Sequence, residues 1–318
     1  MTALRVESLT VDDRVDLLGY LQQREYPKSV FAEPAFLKKL SLDAFEATFG
    51  AVFEHEEIEA LIARDGNSVV GFTLFQYHEV ESITRENQTV FLDLSCKDQD
   101  VFNLLVGRAV KMAREKGDPY LVYHTYETQF YERKWAKDFG MHPELLRTYM
   151  SVKKGDKVER HPDYILRKAE SHELLFIMKV VSQHSPAYIP ANRPVDRKQI
   201  QEWFVQAYAR LKVTDKKKVP LVLERRSTGD LMGYMILQPQ RLFAGKGPVG
   251  MYTYDIAIGP NGAGLGLSRY LAEGSKELME KMGGGFLYGD VSPENRLALS
   301  ATLALGSKID SRRWGFKL

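Results

Sequence analysis

Hydrophobic and polar positions change their period many times along this chain, and the changes come in the same order twice. Leu4–Ser8 alternates as a short strand, and Asp12–Arg24 and Pro34–Phe49 follow with helical spacing. Ala60–Arg64 and Val69–Gln76 flank Asp65-Gly66-Asn67, which predicts a hairpin because glycine supplies the freedom a tight reversal needs. Thr89–Leu94 reads as a buried strand, Val101–Lys116 as a long helix and Leu121–Thr125 as a further strand; a helix and a last strand follow. The second pass begins with strand Tyr164–Lys168 and helices Glu170–Gln183 and Asp196–Leu211. Its hairpin joins Pro220–Arg225 to Leu231–Leu237 across Ser227–Asp230. Strand Met251–Ile258, helix Leu265–Met282, strand Phe286–Val291, a helix and a strand complete it. Strands alternating with helices predict an α/β layered architecture.

The two passes are in register. Arg5 and Arg167, Tyr26 and Tyr188, Gly71 and Gly233, and Asp93 and Asp255 each stand 162 residues apart. For Tyr120 and Phe286, and for Gly140 and Gly306, the spacing is 166, which a four-residue insertion around Gly283-Gly284-Gly285 explains. Constant spacing across different kinds of segment is the mark of an internal repeat. The charged stretch Lys153–His161 is the natural linker, giving expected domains at 1–155 and 156–318.

Composition narrows the function classes. The chain has 318 residues, enough for two domains, and its longest apolar runs are too short and charge-broken to span a membrane. Met1–Thr10 lacks the apolar core of a secretion signal, and the one cysteine, Cys96, permits no intrachain disulfide or thiolate metal cage. These features point to a cytoplasmic setting without a metal. Net charge is +2 with both signs mixed throughout, so no basic stripe for nucleic acid is present. Lys216-Lys217-Lys218 and Arg225-Arg226 read as solvated loops.

Candidate chemistry concentrates in Ile256–Gly266 (IAIGPNGAGLG), where a strand passes through a glycine-dense loop into a helix. Exposed N–H groups at such a helix start favour an anion, and glycine lets a ligand approach the backbone. The loop lacks the Lys-Ser/Thr ending of a triphosphate-binding loop, and the third glycine of the dinucleotide fingerprint is replaced by Ser268-Arg269. A plain structural turn is the alternative.

Asn261-Gly262-Ala263-Gly264-Leu265-Gly266 resembles the Gln/Arg-x-x-Gly-x-Gly/Ala signature of the GCN5-related N-acetyltransferase superfamily, with Asn261 in place of Gln or Arg and a loop about two residues shorter than the family's. Asn295, Ala298 and Gly306 look like its Asn-x-x-Ala…Gly-Phe segment. Capping alone explains Ser292-Pro293-Glu294, with Ser292 as cap, Pro293 at the first helical position and Glu294 complementing the dipole, but says little about Asn295. The resemblance implies two tandem domains, each a mixed, mostly antiparallel sheet flanked by helices, and an acyl-CoA, acetyl-CoA by default, bound by the second. The pantetheine arm would pair with the backbone of Ile256, Ala257 and Ile258. The pyrophosphate would rest on the amides of Gly262, Ala263, Gly264, Leu265 and Gly266, with Asn261 and Asn295 beside it. The acceptor would be a small-molecule amine, and the protein a monomer or homodimer.

The place of the family's thiol-protonating tyrosine is taken by Thr302, with Ser300 nearby. On strand Met251–Ile258, Tyr252 and Tyr254 are expected on one face and Asp255 on the other. Tyr252 and Asp255 are candidate bases, although the tyrosine also suits packing and the repeat mate Asp93 suits a shared structural hydrogen bond. The segment Ser185–Pro194 lies where the family builds its acceptor site, so Tyr188, Arg193 and Tyr254 are candidate substrate contacts, with a stiff surface loop as the alternative. No histidine begins a His-x-x-x-Asp motif, which disfavours the unrelated acyltransferases that use it. In the first copy Phe102 stands opposite Gly264, and Asp98 and Asp100 would repel phosphate, so that copy is expected to complete the core without holding CoA. Cys96 reads as a small buried residue. Two other readings stay open: an aminoacyl transferase like the Fem family, which pairs two such folds without CoA, and a non-catalytic binding protein.

Overall fold

The hairpin signals are realised by left-handed glycines, Gly66 at φ 61° and Gly229 at φ 75°. A computed structural model of the chain describes residues 4–155, 161–215, 217–247, 249–281 and 285–318. Residues 156–160 of the charged stretch, Lys216, and Gly283-Gly284 of the expected insertion lie outside the described residues. In chain order the elements are β1 (Leu4–Ser8), α1 (Arg14–Gln23), α2 (Pro34–Val52), β2 (Ile58–Asp65), β3 (Ser68–Val80), β4 (Asn87–Cys96), α3 (Gln99–Lys116), β5 (Tyr120–Tyr126), α4 (Phe130–Asp138) and β6 (His142–Val152). The second pass gives β7 (Tyr164–Lys168), α5 (Leu174–His184), α6 (Arg197–Ala209), β8 (Val219–Arg225), β9 (Leu231–Arg241), β10 (Val249–Ile258), α7 (Ser268–Lys281), β11 (Gly285–Val291), α8 (Arg296–Ala304) and β12 (Lys308–Lys317).

Two tandem α/β units result. Their limits differ from 1–155 and 156–318, because each unit takes the closing strand of the other half. Unit one comprises residues 1–144 with 311–318, and unit two comprises 145–310. In unit one the strands run β1-β2-β3-β4-β5-β12, antiparallel except for β4 with β5. In unit two they run β7-β8-β9-β10-β11-β6, antiparallel except for β10 with β11. An alternating strand carries no mark of which edge it will join, so its own repeat was the natural expectation.

Period-two alternation divides each sheet between two helical layers. In β2, Leu61 and Ala63 join the core under α3, while Ala60 and Ile62 join the core under α1 and α2. In unit two, Met235, Leu237, Met251 and Leu287 pack with Leu267, Leu271 and Met279 on the α7 side. Unit two is anchored at its edge by Arg167, which donates to Glu173 at 2.6 and 2.8 Å and to Glu224 at 2.6 Å.

The repeat offsets recur as structural events. A one-residue bulge interrupts β4 at Leu92 and β10 at Tyr254, again 162 residues apart. The parallel ladder ends at Val90↔Val122 in unit one and at Tyr252↔Tyr288 in unit two, positions related by 162 and 166. Gly71 and Gly233 lie opposite Cys96 and Ile258. A Cβ on Gly233 would stand 2.8 Å from the Ala257 carbonyl oxygen, so this crossing requires glycine.

Candidate functional site

The site grows from the end of β10. Its parallel partner is lost after Tyr252↔Tyr288, while pairing with β9 continues to Ile258↔Gly233. Backbone groups of Thr253–Ile258 on the β11 side therefore lack a ladder. This edge includes Ile256, Ala257 and Ile258.

Beyond it, the chain makes a 3-10 turn at Pro260–Gly262 and reaches α7 through Ala263–Leu267. Gly262 is tightly enclosed; a Cβ there would meet the Met232 carbonyl oxygen at 2.6 Å. Gly264 and Gly266 adopt φ 77° and 67°, and each faces open space. Asn261, Ala263 and Leu265 are exposed, Leu265 to 49%. The N–H groups of Gly262, Ala263 and Leu265 are consumed by the turn, donating to Gly259, Pro260 and Gly262. Among the described residues, those of Gly264, Gly266, Leu267 and Ser268 have no acceptor. The free donors thus lie nearer the helix than the span Gly262–Gly266 suggested. Four N–H groups without acceptors stand at the positive end of α7, the arrangement that favours an anion.

Unit one fills the same place from within. The Asp98 carboxylate accepts from the Val101 N–H at 3.0 Å and caps α3. Phe102 is buried against Tyr123, Trp135 and Phe139. An anion already sits at this helix start, as part of the chain. Cys96, half-buried, lies nearby on β4, and burial pushes its thiol up.

The bulge corrects the expected faces of β10. Tyr252 pairs with Gln238 and Asp255 with Ile236, so these two side chains share one face; the extra residue Tyr254 resets the alternation. Asp255 is buried there and takes hydrogen bonds from the phenols of Tyr188 (2.6 Å), Tyr208 (2.5 Å) and Tyr234 (2.6 Å), and from the Ile256 N–H (2.8 Å). Two donors fall on each oxygen, filling the acceptor positions of a carboxylate, so no lone pair remains for an incoming proton. Burial, followed by the charge of Asp255, raises all three phenols well above the ordinary tyrosine value. Tyr254 projects from the bulge, with the Lys218 ammonium 3.6 Å from its ring centre and Tyr208 beyond.

Asp255 thereby ties the segment after α5 to the sheet through Tyr188. Arg193, a candidate substrate contact with a surface loop as the alternative, is instead 2% exposed, and its backbone N–H closes a turn onto Pro190. The mate of Asp255 is held differently. Asp93 receives two hydrogen bonds from Arg24, at 2.9 and 3.0 Å, with Tyr26 stacked 4.2 Å from that guanidinium.

Asn295, rather than Ser292, caps α8; its Oδ1 accepts from the Ala298 N–H at 3.2 Å, and Ser292 instead supports a turn to Glu294. Thr302 lies half-buried on α8, and among the described residues its hydroxyl has no partner. Two residues that sequence reasoning missed sit beside Tyr252. Arg147 on β6 donates to Asp290 on β11 through Nε and Nη2, both at 2.9 Å, and the Tyr252 hydroxyl donates to the same carboxylate at 3.2 Å. Asp290 was visible as a carboxylate in an apolar strand; its partner across exchanged strands was not.

This arrangement is the GCN5-related N-acetyltransferase fold, present in two tandem copies. A protein of that class from Sphaerobacter thermophilus, a GCN5-related N-acetyltransferase, superimposes with a TM-score of 0.56 at 11% identity, covering 99% of this chain and 95% of that one. A GNAT-family acetyltransferase from Colwellia psychrerythraea gives 0.48 at 11% identity, with 99% of each chain covered. A tandem GNAT protein from the clavulanic acid biosynthesis pathway gives 0.46 at 12%, covering 99% and 98%. No protein-family model matches the sequence, and no curated protein matches it. Among the described residues no helix is long and apolar enough to cross a membrane.

Proposed function

We propose that the chain is an N-acyltransferase that takes its acyl group from acyl-CoA, acetyl-CoA by default, and passes it to the amine of a small molecule. One observation carries this reading: two sets of unfilled backbone groups adjoin each other in unit two. They are the N–H groups of Gly264, Gly266, Leu267 and Ser268, and the β10 edge beyond Tyr252 apart from the Ile256 N–H, which Asp255 takes. Consecutive free N–H groups at a helix start suit a diphosphate. An unpaired strand edge suits an extended, amide-bearing arm such as pantetheine, added as a partial strand. Asn261 is exposed beside the cradle, and the amide nitrogen of Asn295 remains a donor after its oxygen caps α8.

The donor supplies the activated thioester; the chain's part is to hold it and to manage one proton. The acceptor approaches on the face that carries Tyr188, Tyr252 and Asp255, with Tyr254 at its rim. Tyr188 acts by holding its segment in place through Asp255, and Thr302 has a free hydroxyl to orient a water near the leaving thiol. Unit one, its helix start closed by Asp98, completes the protein without a donor of its own.

Leu265→Asp tests the reading without disturbing the core, because Leu265 is half exposed on the cradle. It places beside the phosphates the kind of charge that unit one carries. Thiol release from acetyl-CoA across a panel of primary amines should show a Michaelis constant for acetyl-CoA raised at least about tenfold, as repulsion near a desolvated anion site requires, at unchanged melting temperature. An unchanged constant contradicts the cradle.

A further inference from the structure

Tyr252, Asp290 and Arg147 form a connected group at the point where β10 parts from β11. The two strands are held close by Gly250, whose Cβ would meet the Tyr288 ring at 2.6 Å, and by Gly289, whose Cβ would stand 3.3 Å from Thr253. Tyr252 and Tyr288 are the last parallel pair, and their rings lie 5.4 Å apart. Asp290, two residues further along β11, is on the same face, directly across from Arg147. Unlike the enclosed carboxylate of Asp255, this group is open. Side-chain exposure is 40% for Arg147 and 20% for Asp290, and Tyr252 is half-buried.

The repeat supplies an internal control. Tyr252 corresponds to Val90 and Asp290 to His124, while Arg147 corresponds to Arg313, which stands directly across from His124. The fold therefore accepts a valine at the tyrosine's place and needs no carboxylate on the strand. Arg313 turns instead to Glu81, at 3.1 Å, and Glu144, at 3.0 Å. At the place where unit one has Val90 and His124, unit two brings a phenol, a carboxylate and a guanidinium into series, and unit two is also the one with the open cradle.

We propose that Tyr252 and Asp290, with Arg147 as their positioning residue, form the proton relay of the acyl transfer. The inference rests on the donor reading above. The Tyr252 hydroxyl spends its only proton on Asp290, so its oxygen can only accept from a ligand. The amine attacks in its neutral form, and its nitrogen bonds to the thioester carbon. As the tetrahedral intermediate forms, one N–H proton passes to the Tyr252 oxygen while the tyrosine's own proton passes to Asp290 Oδ2. When the C–S bond breaks, the same two transfers run backwards and deliver that proton to the thiolate sulfur. Amide and free thiol leave, and the group returns to its starting state. Arg147, bidentate on Asp290, fixes the carboxylate's plane and keeps Oδ2 toward Tyr252. It comes from β6, so the first half of the sequence contributes to the chemistry of unit two.

The test uses the full chain, acetyl-CoA as donor and hydroxylamine as a small probe nucleophile, with acetyl-CoA affinity measured separately by calorimetry. Tyr252→Phe and Asp290→Asn should each lower kcat about 100-fold, within the range general acid–base groups supply, and leave acetyl-CoA affinity within about twofold. The double variant should be no slower than either single, since a relay is broken once. Arg147→Lys should keep part of the rate that Arg147→Ala loses. Wild-type turnover preserved in Tyr252→Phe, additive losses in the double variant, or a wild type that binds acetyl-CoA yet leaves hydroxylamine unacylated would each overturn the relay while leaving donor binding intact. Failure of the wild type to bind acetyl-CoA would overturn the donor reading itself.

Discussion

Arg147 and Asp290 face each other across a strand pair whose members belong to different halves of the sequence, joined by two parallel 2.9 Å hydrogen bonds. The exchange has a direct consequence for fragments. Residues 156–318 lack β6, which would leave the β11 edge uncovered and prone to edge-to-edge association. Residues 145–310 keep the part of that strand that pairs with β11, Leu146 to Val152. The shorter-reaching fragment should aggregate, and the second should run as a soluble species in size-exclusion chromatography. Equal behaviour would remove the structural weight given to the exchange.

Asp255 is expected to matter for stability more than for proton transfer. Asp255→Ala leaves the buried phenols of Tyr208 and Tyr234, the half-buried phenol of Tyr188 and an N–H without their common acceptor. Each buried unsatisfied group costs about 1–3 kcal/mol, so a loss of at least about 2 kcal/mol is expected even after relaxation. Urea denaturation followed by circular dichroism measures it. A loss under 0.5 kcal/mol, on the order expected for a surface change, contradicts the anchoring role.

Gly233→Ala should be costly because the added methyl meets backbone, the Ala257 carbonyl oxygen at 2.8 Å, rather than a movable side-chain tip. Overpacking of this kind costs roughly 1–3 kcal/mol. The displaced β10 edge should also weaken acetyl-CoA binding. A variant with native melting temperature and native affinity would show that the crossing tolerates a side chain.

The Arg167–Glu173 pair gives unit two an acid sensitivity of definite sign. The Arg167 guanidinium, hydrogen-bonded to Glu173, holds that carboxyl below its ordinary value of 4.5 despite the opposing effect of burial. A carboxyl lowered in the folded state contributes stability that is fully present above its unfolded value and is lost as pH falls through the folded one. Glu173→Gln should therefore lower the melting temperature near pH 7, and the gap to wild type should narrow below about pH 4.5. A gap that stays constant from pH 7 to pH 3 contradicts the pairing.

Local signals carried much of the fold. The offsets of 162 and 166 read from Asp93/Asp255 and Gly140/Gly306 recur in the bulges at Leu92 and Tyr254 and in the ends of both parallel ladders. Glycine punctuation and hydrophobic period are local properties, so the chain displays them directly. What stayed hidden depended on long-range pairing. The bulge at Tyr254 turned Asp255 onto the face of Tyr252, which strict alternation forbids. Tyr208 and Tyr234 gather on Asp255 from a helix and a strand with no shared motif, and the exchange that brings Arg147 to Asp290 has no local signal. Capping at Asn295 rather than Ser292 was a choice between two residues equally able to cap.

The central claim is that backbone N–H groups at the start of α7 hold a diphosphate, once per chain. Isothermal titration of the full chain with acetyl-CoA tests it most directly, beside Gly264→Trp, which fills the open space over the cradle. One molecule bound per chain, with binding abolished in the variant at unchanged circular dichroism, is the predicted result. Two molecules per chain, undiminished binding in the variant, or no heat of binding at all would contradict it.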